Sequence, residues 1–574
     1  MNLFSYYKNI IFLNTEKKYP NVLDCENIKV EYPRQEKYGD LSTNIALVIS
    51  KKLNLNPKEV ATEIASMLEK ERDIESVTVA PNHFINMIIE KKFWSKFLQD
   101  LLRLSQNYPE INLGNGEKVN VEFVSTNPTG PMHIGHAKGA IFGDVISNVL
   151  DKCGYDITRE FYINDAGSQI DKLGKSLNIR YLQRLGEDVK LEDDCYPGKY
   201  LVEIADELFE KYENNITRFE EAEREELFKN FAVEQILDMI KDDLRQLGVY
   251  HDVFRSEKDL IKEFKVKNAI DELDKKELLY KGILEKPKGK VSEDWKLEEQ
   301  LIFKAKEFGD DTDRVIELAD GSYTYFASDI AYHFDKIERG YNSMILLLGA
   351  DHIGYKKRLQ SAVAALSDNT AKLNIKICQL VNIIKDGKQI KMSKRSGQFL
   401  ALKDVLEQIG KESLRFAILS KDSDTVLDID VEEINKQTKD NRLFYIQYAS
   451  ARANSILRKA DELNIKFADD LKDVNFELLD TKHDLRIIKI LALYPKILES
   501  SALTLDMHKI AYYLYEIACV FHSSWSQGGE EESIKFIDKD NIELTKSRVA
   551  LVKATLVVLK SGLKLLGIKA VESM

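Results

Sequence analysis

The chain has 574 residues, enough for roughly three or four domains, and its 44% hydrophobic and 31% charged residues exclude a disordered protein. Taken alone, the net charge of −12 argues against a nucleic-acid partner, but phosphates contact a local surface patch and not the average charge. Five scattered cysteines without a C-x-x-C pair argue against a zinc site, a redox pair or a disulfide framework. No apolar run is long enough for a signal peptide or a membrane span, so we predict a cytoplasmic protein that contacts no membrane.

The first part of the chain, residues 1–100, mixes helix-period segments with short strand-like runs at 77–80 and 84–87. This mixture predicts a small α+β domain. The stretch from Leu101 to Glu117 contains a proline and two glycines, and we predict that it is a linker.

A strand, a glycine-rich turn and a helix follow from Lys118, which is how a nucleotide-binding α/β domain begins. We predict this domain over residues 115–405. Residues 165 to about 300 are mostly charged helical sequence, and strand-like runs return at 301–303, 323–325, 344–348 and 378–384. A parallel sheet with a helical insertion between its halves explains this order. Two separate domains are the alternative, which we disfavour because the sequence motifs fall on both sides of the insertion.

From about residue 410 nearly everything is predicted to be helical, with a connecting segment at 406–440 and a helical domain at 441–574. The last helix has leucines and valines at spacings of three and four, which gives it one apolar face. Four lysines form a second stripe on this helix: Lys546, Lys553, Lys560 and Lys564. Such a stripe can bind RNA or can simply be a solvated surface. Nearby aromatic residues, Phe444, Tyr445 and Tyr448, could stack on unpaired bases or fill the core.

The first motif that carries chemistry is Asn127-Pro-Thr-Gly-Pro-Met-His-Ile-Gly-His136. Its prolines and glycine prevent a regular helix before Met132, so the next helix begins at the histidines. A helix N-terminus presents free N–H groups and partial positive charge, which attract phosphate. His133 and His136 project from the same face of the first turn, and Gly135 leaves room for a nucleotide.

The second motif is Lys391-Met-Ser-Lys394-Arg-Ser-Gly397, which follows the predicted strand at 378–384 and a turn. Its two lysines are three residues apart and could close over a polyphosphate. Each motif alone could be surface decoration. Together and in this order, they resemble the HIGH and KMSKS signatures of class I aminoacyl-tRNA synthetases, with Arg395 in place of the final serine.

The resemblance implies that ATP activates an amino acid, whose carboxylate is already ionised at neutral pH and attacks the α-phosphorus without a general base. Catalysis is then mainly positioning and charge stabilisation. The implied catalytic residues are His133, His136, Lys391 and Lys394. Segment 348–352 resembles the family's nucleoside contacts, and the implied ATP-binding residues are Pro131, Met132, Gly135, Asp351, His352, Met392 and Ser393. Mg²⁺ is expected to accompany the triphosphate, without a tightly bound metal of the protein's own.

Carboxylates near the predicted site indicate which amino acid is activated, because a carboxylate can bind the guanidinium group of arginine. Glu122 lies on the strand that enters the first motif, and Asp329 lies four residues after Tyr325. The segment around these last two residues resembles the arginine-binding helix of arginyl-tRNA synthetases. The resemblance implies that Tyr325, Asp329 and Glu122 bind arginine and that Asn127 holds its main-chain end. For Glu122 a structural ion pair is an equal alternative, and for Asp329 a cap or a salt bridge.

The resemblance to arginyl-tRNA synthetases extends over almost the whole chain. Residues 37–44 are similar to the appended domain that contacts the elbow of the tRNA, and residues 445–452 are similar to the anticodon-binding bundle. The fold class we predict is α/β: a Rossmann-type parallel-sheet catalytic domain with a helical insertion, an N-terminal α+β appended domain and a C-terminal all-α anticodon-binding bundle. The implied protein is a monomeric, ATP-dependent arginine–tRNA ligase whose activation step requires tRNA.

Three other interpretations stay open at this stage. The first is a synthetase of the same class for glutamine, glutamate or cysteine, of which cysteine is disfavoured because no zinc ligands are present. The second is a small nucleotidyltransferase, which would lack the helical C-terminus. The third is a synthetase-derived RNA-binding protein, which would tend to lose the histidines and lysines that remain here.

Overall fold

The computed structural model describes residues 2–33, 35–284, 298–389, 401–468 and 470–574. The chain forms two compact units. One consists of Met1–Leu113 together with Gln437–Met574, and the other of Gly114–Lys436. None of the helices in the described part of the chain is long and apolar enough to cross a membrane.

The N-terminal part of the first unit is α+β, as predicted. Its antiparallel sheet has the strand order β1-β2-β4-β3. Its elements are α1 (Leu3–Lys18), β1 (Val30–Glu31), β2 (Leu41–Thr43), α2 (Ile45–Leu53), α3 (Pro57–Leu68), β3 (Ile74–Val79), β4 (Ile85–Ile89) and α4 (Lys91–Leu104). Helix α4 continues through the start of the predicted linker because Leu101 and Leu102 are buried side chains of its apolar face.

The second unit contains the predicted parallel sheet. Its first elements are β5 (Lys118–Glu122), α5 (Ile134–Lys152), β6 (Asp156–Ile163), α6 (Ser168–Arg184), α7 (Tyr200–Tyr212), α8 (Glu221–Leu247), β7 (Val253–Ser256), α9 (Glu257–Lys262), α10 (Lys265–Lys275) and β8 (Leu279–Gly282). After these come β9 (Gln300–Phe303), β10 (Arg314–Glu317), α11 (Tyr325–Glu338), β11 (Ser343–Gly349), α12 (Lys356–Leu366) and β12 (Lys372–Cys378).

The order of the parallel strands is β12-β11-β5-β6-β7, and each neighbouring pair is parallel. Strands β5 and β11 are adjacent at the centre, so their carboxyl ends open at the same place, where ligands bind in sheets of this kind. Helices α6, α7 and α8 form the helical insertion. Strand β7 lies within the range predicted to be helical and extends the sheet at its edge.

Two predicted strands differ in the structure. Tyr323 forms only an isolated bridge with Glu317, and helix α11 begins two residues later. The run at 378–384 is divided between β12 and β13 (Val381–Lys385), because Gln379 donates its N–H to Ser423 and leaves the parallel sheet. Strand β13 instead pairs with β14 (Lys388–Gln389) and with β15 (Leu427–Asp430).

The remaining helices complete both units. In the second unit these are α13 (Leu402–Ile409), α14 (Lys411–Leu419) and α15 (Val431–Ile434). The predicted helical domain of the first unit contains α16 (Arg442–Glu462), α17 (Lys482–Ala492), α18 (Tyr494–Thr504), α19 (His508–Glu530) and α20 (Ile542–Leu565). Helix α20 packs closely on α19, since a Cβ at Gly562 would lie 2.5 Å from Leu514 Cδ2.

Candidate active site

The turn that leaves β5 has an unusual backbone. Val124 has a φ of 72° and Ser125 a φ of 37°, a left-handed conformation that is costly for a β-branched residue. The Ser125 hydroxyl donates to Glu122 Oε1 over 3.0 Å and accepts the N–H of Tyr162 over 3.1 Å. These bonds tie the turn to strands β5 and β6, so the strained backbone is held by its surroundings.

The two histidines of the first motif lie at the N-terminus of α5, as the sequence predicts. His133 is the N-cap, and its Nδ1 accepts the N–H of Gly135 over 3.1 Å. The rings of His133 and His136 stack with centroids 3.8 Å apart, and His136 Nε2 lies 3.1 Å from Thr126 Oγ1. A Cβ at Gly135 would lie 2.9 Å from Cε1 of His133, so the glycine makes room for this ring.

The other predicted nucleotide contacts that belong to the described residues lie at the same edge of the sheet. Met132 is buried and Pro131 is partly buried immediately before α5. Asp351 and His352 follow strand β11, are largely exposed and lie 3.5 Å apart between Oδ2 and Nε2. Their position beside the end of β5 is what the strand order requires.

The second motif, with Lys391, Met392, Ser393 and Lys394, lies outside the described residues. The chain is described again from Ala401, which pairs with His133 as an isolated antiparallel bridge. The next residue, Leu402, donates its N–H to the carbonyl of Met132 over 3.0 Å. The segment that follows the second motif therefore lies directly beside the first.

The segment that carries Tyr325 and Asp329 is the start of helix α11, so the two side chains are one turn apart. Tyr325 is 74% exposed. Burial, together with the negative charges of Glu122 and Glu257, raises the pKa of Asp329 to about 7, while Arg358 opposes this rise. Among the described residues, the Asp329 carboxylate has no hydrogen-bond or ion-pair partner. This group is therefore poised to receive a cation.

Glu257 is a carboxylate near Asp329 that sequence reasoning missed. It is buried at the first position of α9, directly after β7, and it hydrogen-bonds with the side chains of Ser328 and Tyr162. Burial raises the pKa of its carboxyl group above the ordinary value. A carboxylate directly after a parallel strand would have indicated this position. Strand β7, however, lies within residues 165–300, which the sequence predicts to be mostly helical.

Glu122 forms an ion pair, which is one of the two roles that the sequence allows for it; the other is contact with arginine. Its Oε2 lies 2.6 Å from Lys336 Nζ, and both side chains are almost completely buried. Behind this pair, Arg339 binds Glu160 through two 2.8 Å hydrogen bonds. Burial alone would raise the pKa of Glu160, but Lys336 and Arg339 lower it to about 2. Helix α11 is thus fixed to the sheet by buried charges.

The first unit carries a different kind of polar surface, on helices α16 and α19. The Arg452 guanidinium lies 4.3 Å from the Tyr448 ring centroid and 5.2 Å from that of Trp525. Arg442 lies in the same way over Tyr512 and Tyr515. We call this surface the aromatic face; its exposed rings are Tyr448, Tyr512 and Trp525. Phe444 stacks on Tyr448, and Tyr445 packs against His522.

Three family models match the chain. The arginyl tRNA synthetase N terminal domain matches residues 9–89, the catalytic domain of class I (R) tRNA synthetases matches residues 98–456, and the DALR anticodon binding domain matches residues 446–574. Together they extend over nearly the entire sequence.

Curated relatives are similar over their full length. The arginine–tRNA ligase of Ehrlichia chaffeensis is 44% identical, and that of Rickettsia prowazekii is 41% identical, each with 100% of both chains covered. The arginyl-tRNA synthetase structure from Thermus thermophilus has a TM-score of 0.76 at 19% identity and covers 100% of both chains. The Plasmodium falciparum arginyl-tRNA synthetase has a TM-score of 0.74 at 18% identity, covering 100% of this chain and 99% of its own. These two likenesses support the fold.

Proposed function

The chain belongs to the arginyl-tRNA synthetase family, and from this premise we propose that it is an ATP-dependent arginine–tRNA ligase. It joins arginine to the α-phosphate of ATP with release of pyrophosphate. It then transfers the arginyl group to a hydroxyl at the 3′ end of the arginine tRNA, and AMP leaves. The observation that carries the choice of amino acid is the Asp329 carboxylate, which has no hydrogen-bond or ion-pair partner among the described residues and lies near two further acidic groups.

We call Tyr325, Asp329, Glu257 and Glu122 the arginine pocket, and the guanidinium group of arginine supplies the cation that these carboxylates can bind. It is planar, permanently charged and able to donate two parallel hydrogen bonds to a carboxylate. In our proposal Asp329 and Tyr325 contact it directly from α11, and Glu257 supplies a second negative charge. Glu122 contributes its charge while Lys336 holds it in place. Asn127 binds the main-chain end of arginine, and its side-chain amide is oriented by a 2.9 Å bond to Gln169.

ATP is placed with its phosphates at the N-terminus of α5. His133 and His136 hydrogen-bond phosphate oxygens as the α-phosphorus is attacked, beside the backbone of Pro131, Met132 and Gly135. Lys391 and Lys394 stabilise the leaving pyrophosphate, and Met392 and Ser393 complete that loop. Asp351 and His352 bind the nucleoside end. The attacking carboxylate is already ionised, so none of these groups needs to remove a proton.

Mg²⁺ enters this proposal only as the companion of the triphosphate. Among the described residues, no group of three or more histidine, cysteine, aspartate or glutamate side chains could hold a metal ion. The ion would be bound mainly by phosphate oxygens and water, which is how Mg²⁺ usually binds with nucleotides.

The remaining parts of the chain are assigned to tRNA. We propose an appended tRNA-binding domain at 1–100, a catalytic domain at 115–405, a connecting segment at 406–440 and an anticodon-binding domain at 441–574. The matches of the N-terminal domain model to residues 9–89 and of the anticodon binding domain model to residues 446–574 support the two outer assignments. The aromatic face is the surface on which anticodon bases would stack. The family resemblance further supports a monomeric cytoplasmic enzyme.

The test is a charging assay with the full chain. The protein is incubated with ATP, Mg²⁺, bulk tRNA and one radiolabelled amino acid at a time, and acid-precipitable label is counted. We expect acid-precipitable label only when the radiolabelled amino acid is arginine. Charging with glutamine or glutamate would assign the protein to another amino acid, and no charging with any amino acid would contradict a synthetase.

A further inference from the structure

The signature loop, residues 127–132, is the part of the first motif that precedes α5. Each of the three insertion helices provides a polar contact to it. From α6, Gln169 accepts the side-chain N–H of Asn127. From α7, the Tyr200 hydroxyl donates to the carbonyl of Thr129. From α8, Asp243 accepts the backbone N–H of Met132.

The contact from α7 is the shortest of the three. Tyr200 Oη lies 2.6 Å from the Thr129 carbonyl oxygen, and the Tyr196 side chain hydrogen-bonds with the side chain of the same threonine. Burial raises the pKa of Tyr200 above its ordinary value, so the hydroxyl remains a donor. A Cβ at Gly130 would lie 3.1 Å from this hydroxyl oxygen, so the glycine permits the close approach.

The contact from α8 is buried. Asp243 Oδ2 lies 3.0 Å from the Met132 nitrogen, and the aspartate is only 8% exposed. Met132 is the residue immediately before the N-cap His133, so a shift of its backbone moves the first turn of α5. A buried carboxylate is costly unless it is hydrogen-bonded, and this N–H is its described partner.

The loop has little means of holding its own shape. Pro128 and Pro131 cannot donate backbone hydrogen bonds, and among its six residues, all of them described, one hydrogen bond joins the Thr129 N–H to the Asn127 carbonyl. The turn before it is strained at Val124. Contacts from outside the loop therefore help to fix the backbone that carries the histidines.

We propose that the helical insertion is a clamp on the signature loop, with Tyr200 and Asp243 as positioning residues for the activation step. This inference rests on the proposed function. Neither residue touches a reacting atom in our placement of ATP and arginine. They act by fixing the backbone that places His133 and His136 against the triphosphate, where a displacement of about 1 Å can cost up to a hundredfold in rate.

The first test is Tyr200→Phe, which removes one hydroxyl and little volume. The matched control is Tyr181→Phe, since the Tyr181 hydroxyl donates to the carbonyl of Glu213 inside the insertion and does not contact the loop. Arginine-dependent ATP–pyrophosphate exchange is measured with cognate tRNA present. We expect kcat to fall about tenfold for Tyr200→Phe with the KM for ATP changed less than threefold, and the control to stay within twofold.

The carboxylate is tested with Asp243→Ala and Asp243→Asn. Alanine removes the acceptor, whereas the asparagine carbonyl can still accept the Met132 N–H, so asparagine should recover most of the lost kcat. Thermal unfolding of each variant is measured alongside. A wild-type kcat in both Tyr200→Phe and Asp243→Ala would overturn the clamp. The clamp would also be overturned if, across these two variants and the Tyr181→Phe and Asp243→Asn variants, kcat fell only in proportion to the loss of thermal stability.

A double-mutant cycle with His133→Ala shows whether the clamp acts through the histidines. If it does, Tyr200→Phe should cost less than about twofold once His133 is absent, because the two changes remove one effect. Equal costs in both backgrounds would overturn the proposal. The cycle uses rate ratios with whichever amino acid the wild type activates, so a failure of the arginine assignment is read separately from a failure of the clamp.

Discussion

The proposed arginine pocket and the aromatic face both use charged groups beside aromatic rings, but in opposite ways. In the pocket, Glu122 and Lys336 are buried against each other, and Asp329 has no partner within the part of the chain that the structure describes. On the aromatic face, the guanidinium of Arg452 lies over partly exposed rings. The pocket holds a fixed charge arrangement, whereas the face presents groups that remain in contact with water.

This difference matches the two kinds of ligand that we propose. A pocket of buried carboxylates selects a cationic amino acid, because a neutral competitor would leave these carboxylates without a cation. The binding of such a competitor is therefore unfavourable. Unpaired bases are bound by stacking, which each exposed ring can provide separately. Changes in the pocket should therefore have large and mutually dependent effects, while changes on the face should have moderate effects that are nearly independent.

The largest effect is expected where a buried pair is broken. Lys336→Met leaves Glu122 buried without its cation, and we expect the free energy of unfolding to fall by about 3–5 kcal/mol. Urea unfolding at pH 7.5 measures this. The double variant Lys336→Met with Glu122→Gln should recover most of the loss, because no uncompensated charge remains. A loss below about 1 kcal/mol in the single variant would mean that Glu122 does not depend on this ion pair.

The next effect concerns the Asp329 carboxylate. Asp329→Asn keeps the shape of the side chain but removes a charge-assisted contact of roughly 2–4 kcal/mol, so the KM for arginine should rise at least tenfold. Stability should not fall, since no described group pairs with this carboxylate. Asp320→Asn, in the exposed turn before α11, is the control. An unchanged KM for arginine would remove Asp329 from the pocket.

A smaller effect is expected from a single ring of the aromatic face. Tyr448→Ala removes one stacking surface, and tRNA binding should weaken by about 1–3 kcal/mol, the usual value for one base. The KM for arginine should stay the same. Tyr250→Ala removes an exposed tyrosine of the other unit and serves as the control. Equal tRNA affinity for both variants and the wild type would show that Tyr448 binds no base.

The pocket should also respond to pH. The pKa of about 7 for Asp329 means that this group is largely protonated at pH 6 and largely ionised at pH 8 in the free protein. Arginine requires the ionised form, so its affinity should fall about tenfold from pH 8 to pH 6. At pH 7 binding should release about half a proton, which calorimetry in two buffers of different ionisation enthalpy detects. Wild-type affinity that is constant over this range would contradict the raised pKa.

The parts that sequence alone could predict are those with local causes. The position of the histidines follows from prolines and glycine that exclude an earlier helix start, and the Tyr325–Asp329 spacing follows from helix geometry. Glu257 could not be predicted, because its place depends on β7 joining the sheet edge. The contacts of Tyr200 and Asp243 with the signature loop are equally hidden, since residues 71 and 111 positions away meet only after folding.

The smallest effect should come from the lysine stripe of α20, which the sequence left open between RNA binding and a solvated surface. In the structure, Lys546 pairs with Asp473, Lys560 lies 3.5 Å from Glu572, and Lys553 lies over the ring of Phe467. These local partners already engage most of the stripe. Because exposed ion pairs contribute little to stability, replacing these lysines should hardly change the free energy of unfolding.

We therefore expect Lys553→Gln with Lys560→Gln to weaken tRNA binding less than about threefold. Neutral glutamine is chosen because it removes a possible phosphate contact without adding repulsion. Each lysine that contacts a phosphate releases a counterion and contributes about 0.9 to the slope of log affinity against log salt. The double variant should keep the wild-type slope, whereas Arg442→Gln on the aromatic face should reduce it by about one. A slope reduced by nearly two in the lysine variant would show that the stripe binds tRNA phosphates. The lysine stripe and the aromatic face would then not differ in their contact with tRNA.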